Sequence, residues 1–400
     1  MDLLNTIDTL LDEQDLTDTL RALLRTPAEA PLGQNFIDPR DPQVAHFVRG
    51  VIQPRVEALG GRDYLHDEDN NLAFAFGGQG SPTLLMMTYS SSHHGNRMEE
   101  PYSGTIESAA RFGVDELCAF GRGAGKKGSL ASALAALKIV RRAGISLRGR
   151  LIFAVNTEGY SSHRGSDRIF AGLRQNGTMP DTALLCVGTG LRACIGNRGR
   201  VDIFVTVRGR ETHSSQPHEG LSAIDGAYEV LTRLRSMRFE KSHPRLGREQ
   251  LTPYKLVIGP VAPHTIPEVA EFRLDRRLVP GSSMDEAVDE VRAALSDLAP
   301  FQVEVSQGPF MVPSESDPEG PVIQALRRAT IACRGRPLET FYAGYTGDAG
   351  RAASLGVPPV EFGPAAHGEV DRPTGTEFIS LSQVKQAARI YAHVILDLLR

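Results

Sequence analysis

Hydrophobic positions follow two different patterns along the first half of the chain, helical spacing and short continuous runs. Apolar residues follow helical spacing over residues 4–26 and 45–59, and a third helix is predicted over 129–143. Short apolar runs between these helices predict buried strands over residues 71–76, 83–87, 150–155 and 183–187. This alternation of strand and helix predicts an α/β domain with a mostly parallel sheet that is covered on both faces.

The pattern changes at Arg200, where apolar and polar residues begin to alternate as in a half-solvated antiparallel strand. The elements predicted after it are a strand at 201–209, a helix at 222–237, strands at 254–258 and 268–274, a helix at 283–298 and a strand at 301–305. This β-α-β-β-α-β order is that of a ferredoxin-like unit. The chain returns to α/β character from Val322. The prediction is therefore one domain made of residues 1–199 and 310–400, with residues 200–309 inserted as a second domain.

Composition narrows the class of protein. A chain of 400 residues favours two domains, and 41% hydrophobic with 23% charged residues is ordinary for a soluble globular chain. A formal net charge of -4 gives no electrostatic case for binding nucleic acid or an anionic membrane. The four cysteines form no CxxC pair, and the N-terminal stretch is acidic and interrupted, which fits neither a signal peptide nor a membrane span. We expect a cytoplasmic protein.

The stretch from Thr83 to Leu137 holds the candidate site. Its strand turns polar at residues 88–92, and the glycine-rich turn at residues 121–125 opens the long helix. Open α/β sheets build their sites at the carboxyl edge from such parts.

Three motifs in this stretch resemble a known family. Pro101-Tyr102-Ser103-Gly104, then Gly121-Arg122-Gly123-Ala124, then Lys127-Gly128 follow one another at about the family spacing. The stretch resembles the metallopeptidase family that includes acetylornithine deacetylase, succinyl-diaminopimelate desuccinylase, aminoacylase and bacterial glutamate carboxypeptidase. The resemblance implies a zinc-exopeptidase-like domain, with residues 200–309 as a lid and dimerisation domain, and hence a homodimer.

The family's metal ligands are largely replaced in this chain. The positions that the resemblance assigns to them hold Tyr89, Ser91, Gly125, Glu158, Val187 and Asp371. The family's general base falls on Thr157, while a shift of one residue would make Glu158 the base. Catalytic zinc takes about three His or carboxylate ligands, so we expect no zinc and no other cofactor. A conventional zinc amidohydrolase remains an alternative if His93, His94, His163 or His367 is recruited as a ligand.

Four residues match the family's substrate-contacting positions. His213, in Gly209-Arg210-Glu211-Thr212-His213-Ser214-Ser215, corresponds to a His that enters the partner subunit's site and donates a hydrogen bond to the oxyanion. Arg277 corresponds to an Arg that binds the substrate carboxylate, for which a bidentate donor is suited. His264 replaces a substrate-contacting Asn, and Asp348 lies in a loop near the substrate.

These residues predict an enzyme on a peptidase or deacylase scaffold that acts without the metal centre. Its substrate would be a small carboxylated amide or amino-acid derivative, with hydrolysis or acyl transfer at a C–N bond. We assign catalysis to Glu158, His213, Tyr89 and Asp371, and substrate binding to Arg277, His264, Asp348, Ser91 and Lys127. Lys126 is a further polar residue near the site. The alternative is a non-catalytic pseudo-enzyme that binds such a ligand.

Overall fold

The computed structural model describes residues 7, 9–28, 37–90, 98–158, 162–260, 262–365 and 375–400. The chain divides into two compact units. The first consists of residues 1–196, 315–341 and 351–400, and the second of residues 197–314 and 342–350. Among the helices that the structure describes, none is long and apolar enough to cross a membrane.

The first unit is built on a mixed sheet of nine strands in its described part. Eight of them follow the order β1-β2-β6-β3-β7-β19-β8-β17, and β18 also pairs with β8. The nine are β1 (Arg62–His66), β2 (Leu72–Gly77), β3 (Gly80–Tyr89), β6 (Gly149–Asn156), β7 (Thr182–Cys186), β8 (Ala193–Asn197), β17 (Ser314–Glu315), β18 (Thr340–Ala343) and β19 (Pro359–Phe362). A separate small sheet joins β4 (Ile106–Ser108), β5 (Leu117–Phe120) and β20 (Phe378–Ser380).

Helices cover this sheet. Those described in the first unit are α1 (Glu13–Leu24), α2 (Pro42–Ala45), α3 (Gln53–Glu57), α4 (Ala124–Ala143), α5 (Arg164–Gln175), α8 (Pro321–Arg334), α9 (Ala349–Ser354, of which residues 351–354 belong to this unit) and α10 (Leu381–Leu399). Small residues let α4 approach α10 and its preceding strand closely. The Ser132 hydroxyl donates to the Val384 carbonyl at 2.9 Å, and a Cβ on Gly128 would lie 2.2 Å from Ile379 Cδ1. The Ala-rich sequence of α4 is therefore explained by packing as well as by helix propensity.

The second unit is the predicted ferredoxin-like unit. Its four-stranded antiparallel sheet has the order β13-β15-β9-β16. The elements of this unit are β9 (Gly199–Arg208), β10 (Thr212–His213), α6 (Ala223–Ser236), β11 (Ser242–His243), β12 (Gly247–Arg248), β13 (Gln250–Gly259), β14 (Thr265–Ile266), β15 (Val269–Leu278), α7 (Met284–Ala294) and β16 (Gln302–Met311). The inward-facing residues of the sheet and the apolar faces of α6 and α7 form one core.

The α/β fold with an inserted ferredoxin-like unit is thus confirmed, with three refinements. The large sheet is mixed, because β1, β2 and β8 run antiparallel to their neighbours. The single helix predicted over residues 45–59 is interrupted by a π-helical segment, His46–Ile52, just before Pro54, which has no N–H to donate. Residues 342–350, placed by sequence in the first domain, cluster with the second unit, where the Thr346 hydroxyl contacts Met311 Sδ at 3.3 Å.

Candidate functional site

The carboxyl ends of four strands meet at one edge of the large sheet. β6, β3, β7 and β19 are parallel neighbours, so Tyr89, at the end of β3, and Glu158, just after β6, lie at the same edge. The Ser90 N–H donates to the Asn156 carbonyl at 3.1 Å and ties the ends of β3 and β6 together. Tyr89, which the sequence analysis assigns to catalysis, is buried at the end of β3, and its role stays a prediction.

Glu158 is a buried carboxylate at this edge, with 4% of the residue exposed. One of its oxygens lies 3.2 Å from Arg164 Nη1, and its own N–H donates to Asn156 Oδ1 at 3.0 Å. The ion pair and the backbone bond orient the carboxylate, because each restricts the rotation of the segment that carries it. An oriented carboxylate at a sheet edge is suited to accept a proton.

Thr157 occupies the position that the resemblance gives to the family's general base. Its hydroxyl donates to the Asn70 carbonyl at 2.9 Å, and its N–H donates to Asn71 Oδ1 at 3.0 Å. A hydroxyl committed as a donor in a fully buried setting is not placed to take a proton from water. These contacts favour the alternative in which Glu158 is the base.

The chain just after Glu158 is held close to the sheet by a glycine. A Cβ on Gly165, at the start of α5, would lie 2.0 Å from Asn156 Oδ1, so a larger residue would displace the amide that accepts from Glu158. Asn71 belongs to the same network, since its amide donates to Asp67 Oδ2 at 2.9 Å. Sequence reasoning did not predict that Glu158 contacts the exposed Arg164 and the buried Asn156, because the sequence pattern does not show which side chains lie beside it.

The glycine turn at the start of α4 is held by a buried ion pair that the sequence did not reveal. The Arg122 guanidinium donates to Glu377 Oε1, and the Gly123 N–H donates to Glu377 Oε2 at 2.6 Å. Gly123 has a φ of +71°, in the region that favours glycine, and α4 has no side-chain cap of its own. Glu377 therefore caps α4 from a distant part of the sequence.

Lys127, predicted to contact substrate, is almost fully buried in the first turns of α4. Its Nζ donates to the Thr26 carbonyl at 2.9 Å and lies 5.3 Å from the centroid of the Phe47 ring. The role assigned to this residue stays a prediction. Ser91 and Asp371, two further site residues predicted from sequence, lie outside the described residues.

The residues that the structure describes at the family's metal positions do not fit a zinc centre. Tyr89, Gly125, Val187 and Glu158 supply one carboxylate among them, and it is paired with Arg164. Within the described ranges, no group of three or more His, Cys, Asp or Glu side chains could hold a metal ion. His163 is buried at the start of α5, whereas His93, His94 and His367 lie outside the described ranges. The absence of zinc stays a prediction.

In the second unit, the structure brings His213 and His264 together. Their strands β10 and β14 pair, and the two ring centroids are 6.2 Å apart. The Ser215 N–H donates to His213 Nδ1 at 3.2 Å, so the proton of the neutral imidazole is on Nε2. His213 is exposed and therefore presents an Nε2–H donor outward. His264 has a φ of +57°, which is uncommon for a non-glycine residue, and its carbonyl accepts from Ser214 N at 2.7 Å.

Arg277 lies at the other end of β15. Its guanidinium makes a bidentate pair with Asp275, with Nε–Oδ1 and Nη2–Oδ2 distances of 2.7 and 2.8 Å. Val269 and Arg277 lie eight residues apart on β15, which corresponds to about 25 Å of extended strand. Their partners on β9 are Arg208 and Arg200, at opposite ends of that strand. His264 lies beyond the Val269 end. Arg277 and the two histidines of one subunit are therefore too far apart to contact one small molecule.

Arg198 is a further cation near Arg277 that sequence reasoning missed. It is buried, and its guanidinium donates to the carbonyls of Arg248, at 2.9 Å, and Leu246. Burial lowers the pKa of Arg198, the neighbouring Arg277 lowers it further, and Glu249 opposes both effects. The position of Arg198 between two strands carried no signal in the sequence.

Asp348, which the sequence analysis assigns to substrate binding, is also buried in this unit, in the loop before α9.

Comparison with known families and proteins finds relatives of this chain. Residues 195–302 match the peptidase dimerisation domain of the M20 family. The chain is 24% identical over 398 residues to succinyl-diaminopimelate desuccinylase from Maricaulis maris, covering 94% of this chain and 93% of that protein. The resemblance is confirmed. A desuccinylase from Granulibacter bethesdensis is 29% identical over 224 residues, and that alignment spans 58% of the relative and 53% of this chain.

Solved peptidase structures share the fold of this chain. An M20 metallo-carboxypeptidase from Sulfolobus solfataricus has a TM-score of 0.77 at 15% identity, covering 96% of this chain and 99% of that one. Human carnosine dipeptidase 1 has a TM-score of 0.75 at 15% identity, covering 100% of this chain and 99% of the other. The chain thus has the fold of these solved peptidases, and its sequence is similar to that of desuccinylases.

Proposed function

We propose that this chain hydrolyses the C–N bond of a small amide that carries a carboxylate, without a two-zinc centre. The near full-length similarity to desuccinylases supports the reaction class. The observation that carries the proposal is the buried, oriented carboxylate of Glu158 at the carboxyl edge of the sheet. The proposal places the protein in the cytoplasm, because its four cysteines form no CxxC pair.

Glu158 acts as general base and then as general acid in this proposal. A water molecule bound beside Glu158 gives its proton to the carboxylate while its oxygen bonds to the amide carbon. The same proton then passes to the amide nitrogen as the C–N bond breaks, and a carboxylate and an amine are released. Arg164 keeps the carboxylate oriented through both transfers.

The cations at one end of the second unit supply recognition of the substrate carboxylate. Arg277 offers the N–H groups that Asp275 does not use, and Arg198 adds positive charge beside it. A carboxylate bound there would offset the repulsion between the two guanidinium groups.

A homodimer completes the site in this proposal. His213 lies too far from Arg277 to serve the same ligand in one subunit, so we assign the oxyanion contact to His213 of the partner subunit. The second unit exposes apolar side chains on α6 and on the edge strand β13, namely Ile224, Tyr228, Tyr254, Leu256 and Val257. An exposed edge strand and an apolar helix face are surfaces that a second copy can cover.

A binding protein without activity is the second candidate. The observation that favours it is that the described residues at the family's metal positions supply one carboxylate, that of Glu158, and that this carboxylate is paired with Arg164. A protein that had lost its base and its metal ligands would still hold a carboxylate near Arg277.

One experiment separates the two candidates. A library of N-acyl amino acids and dipeptides is screened by thermal shift, and each hit is incubated with the protein and followed by mass spectrometry. We expect conversion by the wild type, and Glu158→Gln should abolish conversion while keeping the ligand-induced shift, because it removes the proton acceptor and preserves shape. Ligands that stabilise the wild type but are never converted would contradict the enzyme proposal and support the second candidate, a binding protein without activity.

A further inference from the structure

The end of α6 and the hairpin that follows it form a strongly basic surface. Residues 233–248, called the basic segment below, carry six cationic side chains against one carboxylate, that of Glu240. The six are Arg233, Arg235, Arg238, Lys241, Arg245 and Arg248. All but the half-buried Arg233 are exposed. A formal charge of +5 on this segment leaves -9 on the rest of a chain whose net charge is -4.

The arginines of the basic segment contact backbone carbonyls instead of carboxylates. Arg233, Arg238 and Arg248 donate to the carbonyls of Asp297, Met237 and Phe239 at 2.6, 2.9 and 3.0 Å. Arg235 and Arg245 make no side-chain hydrogen bond within the ranges that the structure describes. The guanidinium groups of Arg233, Arg238 and Arg248 are therefore fixed in place, and a carbonyl partner does not neutralise their charges.

Nearby acidic side chains are already paired. On α7, Glu286 contacts Lys241 at 2.5 Å, Asp289 holds Arg292, and Glu290 lies 2.7 Å from the buried Arg276. Lys241 is thus the one cation of the basic segment that has a carboxylate partner in the described part of the chain. The other five cations make no ion pair with a carboxylate among the described residues.

The hairpin β11–β12 is held rigidly. His243 Nδ1 accepts from the N–H groups of Arg245 and Leu246, at 3.2 and 3.3 Å, and its ring lies 5.1 Å from that of Tyr342. The buried Arg198 donates to the carbonyls of Leu246 and Arg248 and so ties the hairpin to the residue just before β9. Preorganised arginines lose little entropy when they bind an anion, which favours recognition.

We propose that the basic segment docks an acidic segment of a partner protein. Guanidinium groups on a rigid hairpin and a helix end can pair with the carboxylates of about four to six acidic residues, each pair being charge-assisted. The surface is short, and the remaining -9 of the chain repels a long polyanion, so the charge distribution favours an acidic peptide over nucleic acid. This docking is independent of the hydrolytic reaction.

The test uses a fluorescein-labelled peptide of ten residues containing six glutamates, with binding measured by fluorescence anisotropy on the full chain. We expect saturable binding that weakens as salt rises from 50 to 300 mM. The double variant Arg235→Gln/Arg245→Gln should weaken binding at least tenfold, since neither side chain has a structural hydrogen bond to lose. Arg336→Gln, an exposed arginine of the first unit, is the matched control and should leave binding unchanged.

Three outcomes would overturn the proposal. One is the absence of binding to the acidic peptide at 50 mM salt. Another is equal binding by the double variant and the wild type, with melting temperatures showing both to be folded. The third is tighter binding of a single-stranded decanucleotide than of the peptide, which would point to nucleic acid as the occupant.

Discussion

At the scale of single residues, ligand recognition in this account depends on the guanidinium group of Arg277. Its pair with Asp275 leaves one edge of the group for a substrate carboxylate, and Arg198 raises the positive charge around it. Arg277→Ala should weaken the binding of carboxylate ligands by ~1.5–3 kcal/mol, because a charge-assisted pair is lost. Isothermal titration with a screened ligand measures the change. Arg208→Ala, at the opposite end of the same sheet, is the control, and an equal loss in both variants would contradict the assignment.

Asp202, on β9, gives a prediction about pH. Burial raises the pKa of Asp202 above its ordinary value of 3.8, although Arg200 opposes the effect. As pH rises above 3.8, Asp202 loses its proton in the unfolded chain before it does so in the folded protein. The contribution of Asp202 to the free energy of unfolding therefore falls with rising pH, until the pH passes the pKa that Asp202 has in the folded protein. In the Asp202→Asn variant, the free energy of unfolding should lack this fall with rising pH. Urea unfolding at several pH values from 4 upward tests this, and identical pH slopes for both proteins would refute it.

At the scale of elements, the capping of α4 by Glu377 links two distant parts of the chain. The carboxylate accepts from the Arg122 guanidinium and the Gly123 N–H, and both ionised side chains are buried. Glu377→Gln should lower the free energy of unfolding by about 3 kcal/mol, because it leaves a buried guanidinium without its counter-ion. Chemical denaturation measures this loss.

A matched control comes from an exposed pair. Glu13 contacts Lys385 at 2.6 Å across two helices, with about half of the Glu13 side chain exposed. Glu13→Gln should cost less than about 1 kcal/mol, as exposed pairs do. Equal losses in Glu13→Gln and Glu377→Gln would contradict the capping role of Glu377.

The sequence predicted most elements but not the contacts that place their ends. Periodicity located α4, β3 and the ferredoxin-like order, because buried faces impose apolar spacing. It did not predict that Glu377 caps α4, or that Arg164 holds Glu158, since such contacts depend on which distant segments pack together. The π-helical segment at His46–Ile52 was missed for a related reason, because its apolar spacing resembles that of an α-helix.

At the scale of the whole molecule, the account requires that two subunits share each site. His213 and Arg277 lie at opposite ends of the second unit, so one substrate meets both only if His213 comes from the partner subunit. His213→Ala should lower turnover more than ligand binding, because the oxyanion forms only during the reaction. Steady-state kinetics and titration give the two quantities.

Mixed dimers test the sharing directly. Co-expression of Glu158→Gln and His213→Ala subunits gives heterodimers with one doubly altered site and one intact site if His213 acts across the interface. Random pairing should then give intact sites in about a quarter of the total, and hence about a quarter of wild-type turnover in addition to what the two parent variants retain. No restoration, in preparations shown by light scattering to be dimeric, would exclude the shared site.

The claim that this scaffold cleaves a C–N bond without zinc is tested most directly by turnover of metal-stripped protein. Wild-type chain is dialysed against a chelator, its metal content is determined by elemental mass spectrometry, and kcat/KM for a screened amide is compared before and after treatment. Because the described residues at the metal positions offer one arginine-paired carboxylate, we predict far less than one zinc per chain and an unchanged kcat/KM. Loss of turnover on stripping, with recovery on adding one equivalent of zinc, would contradict the account.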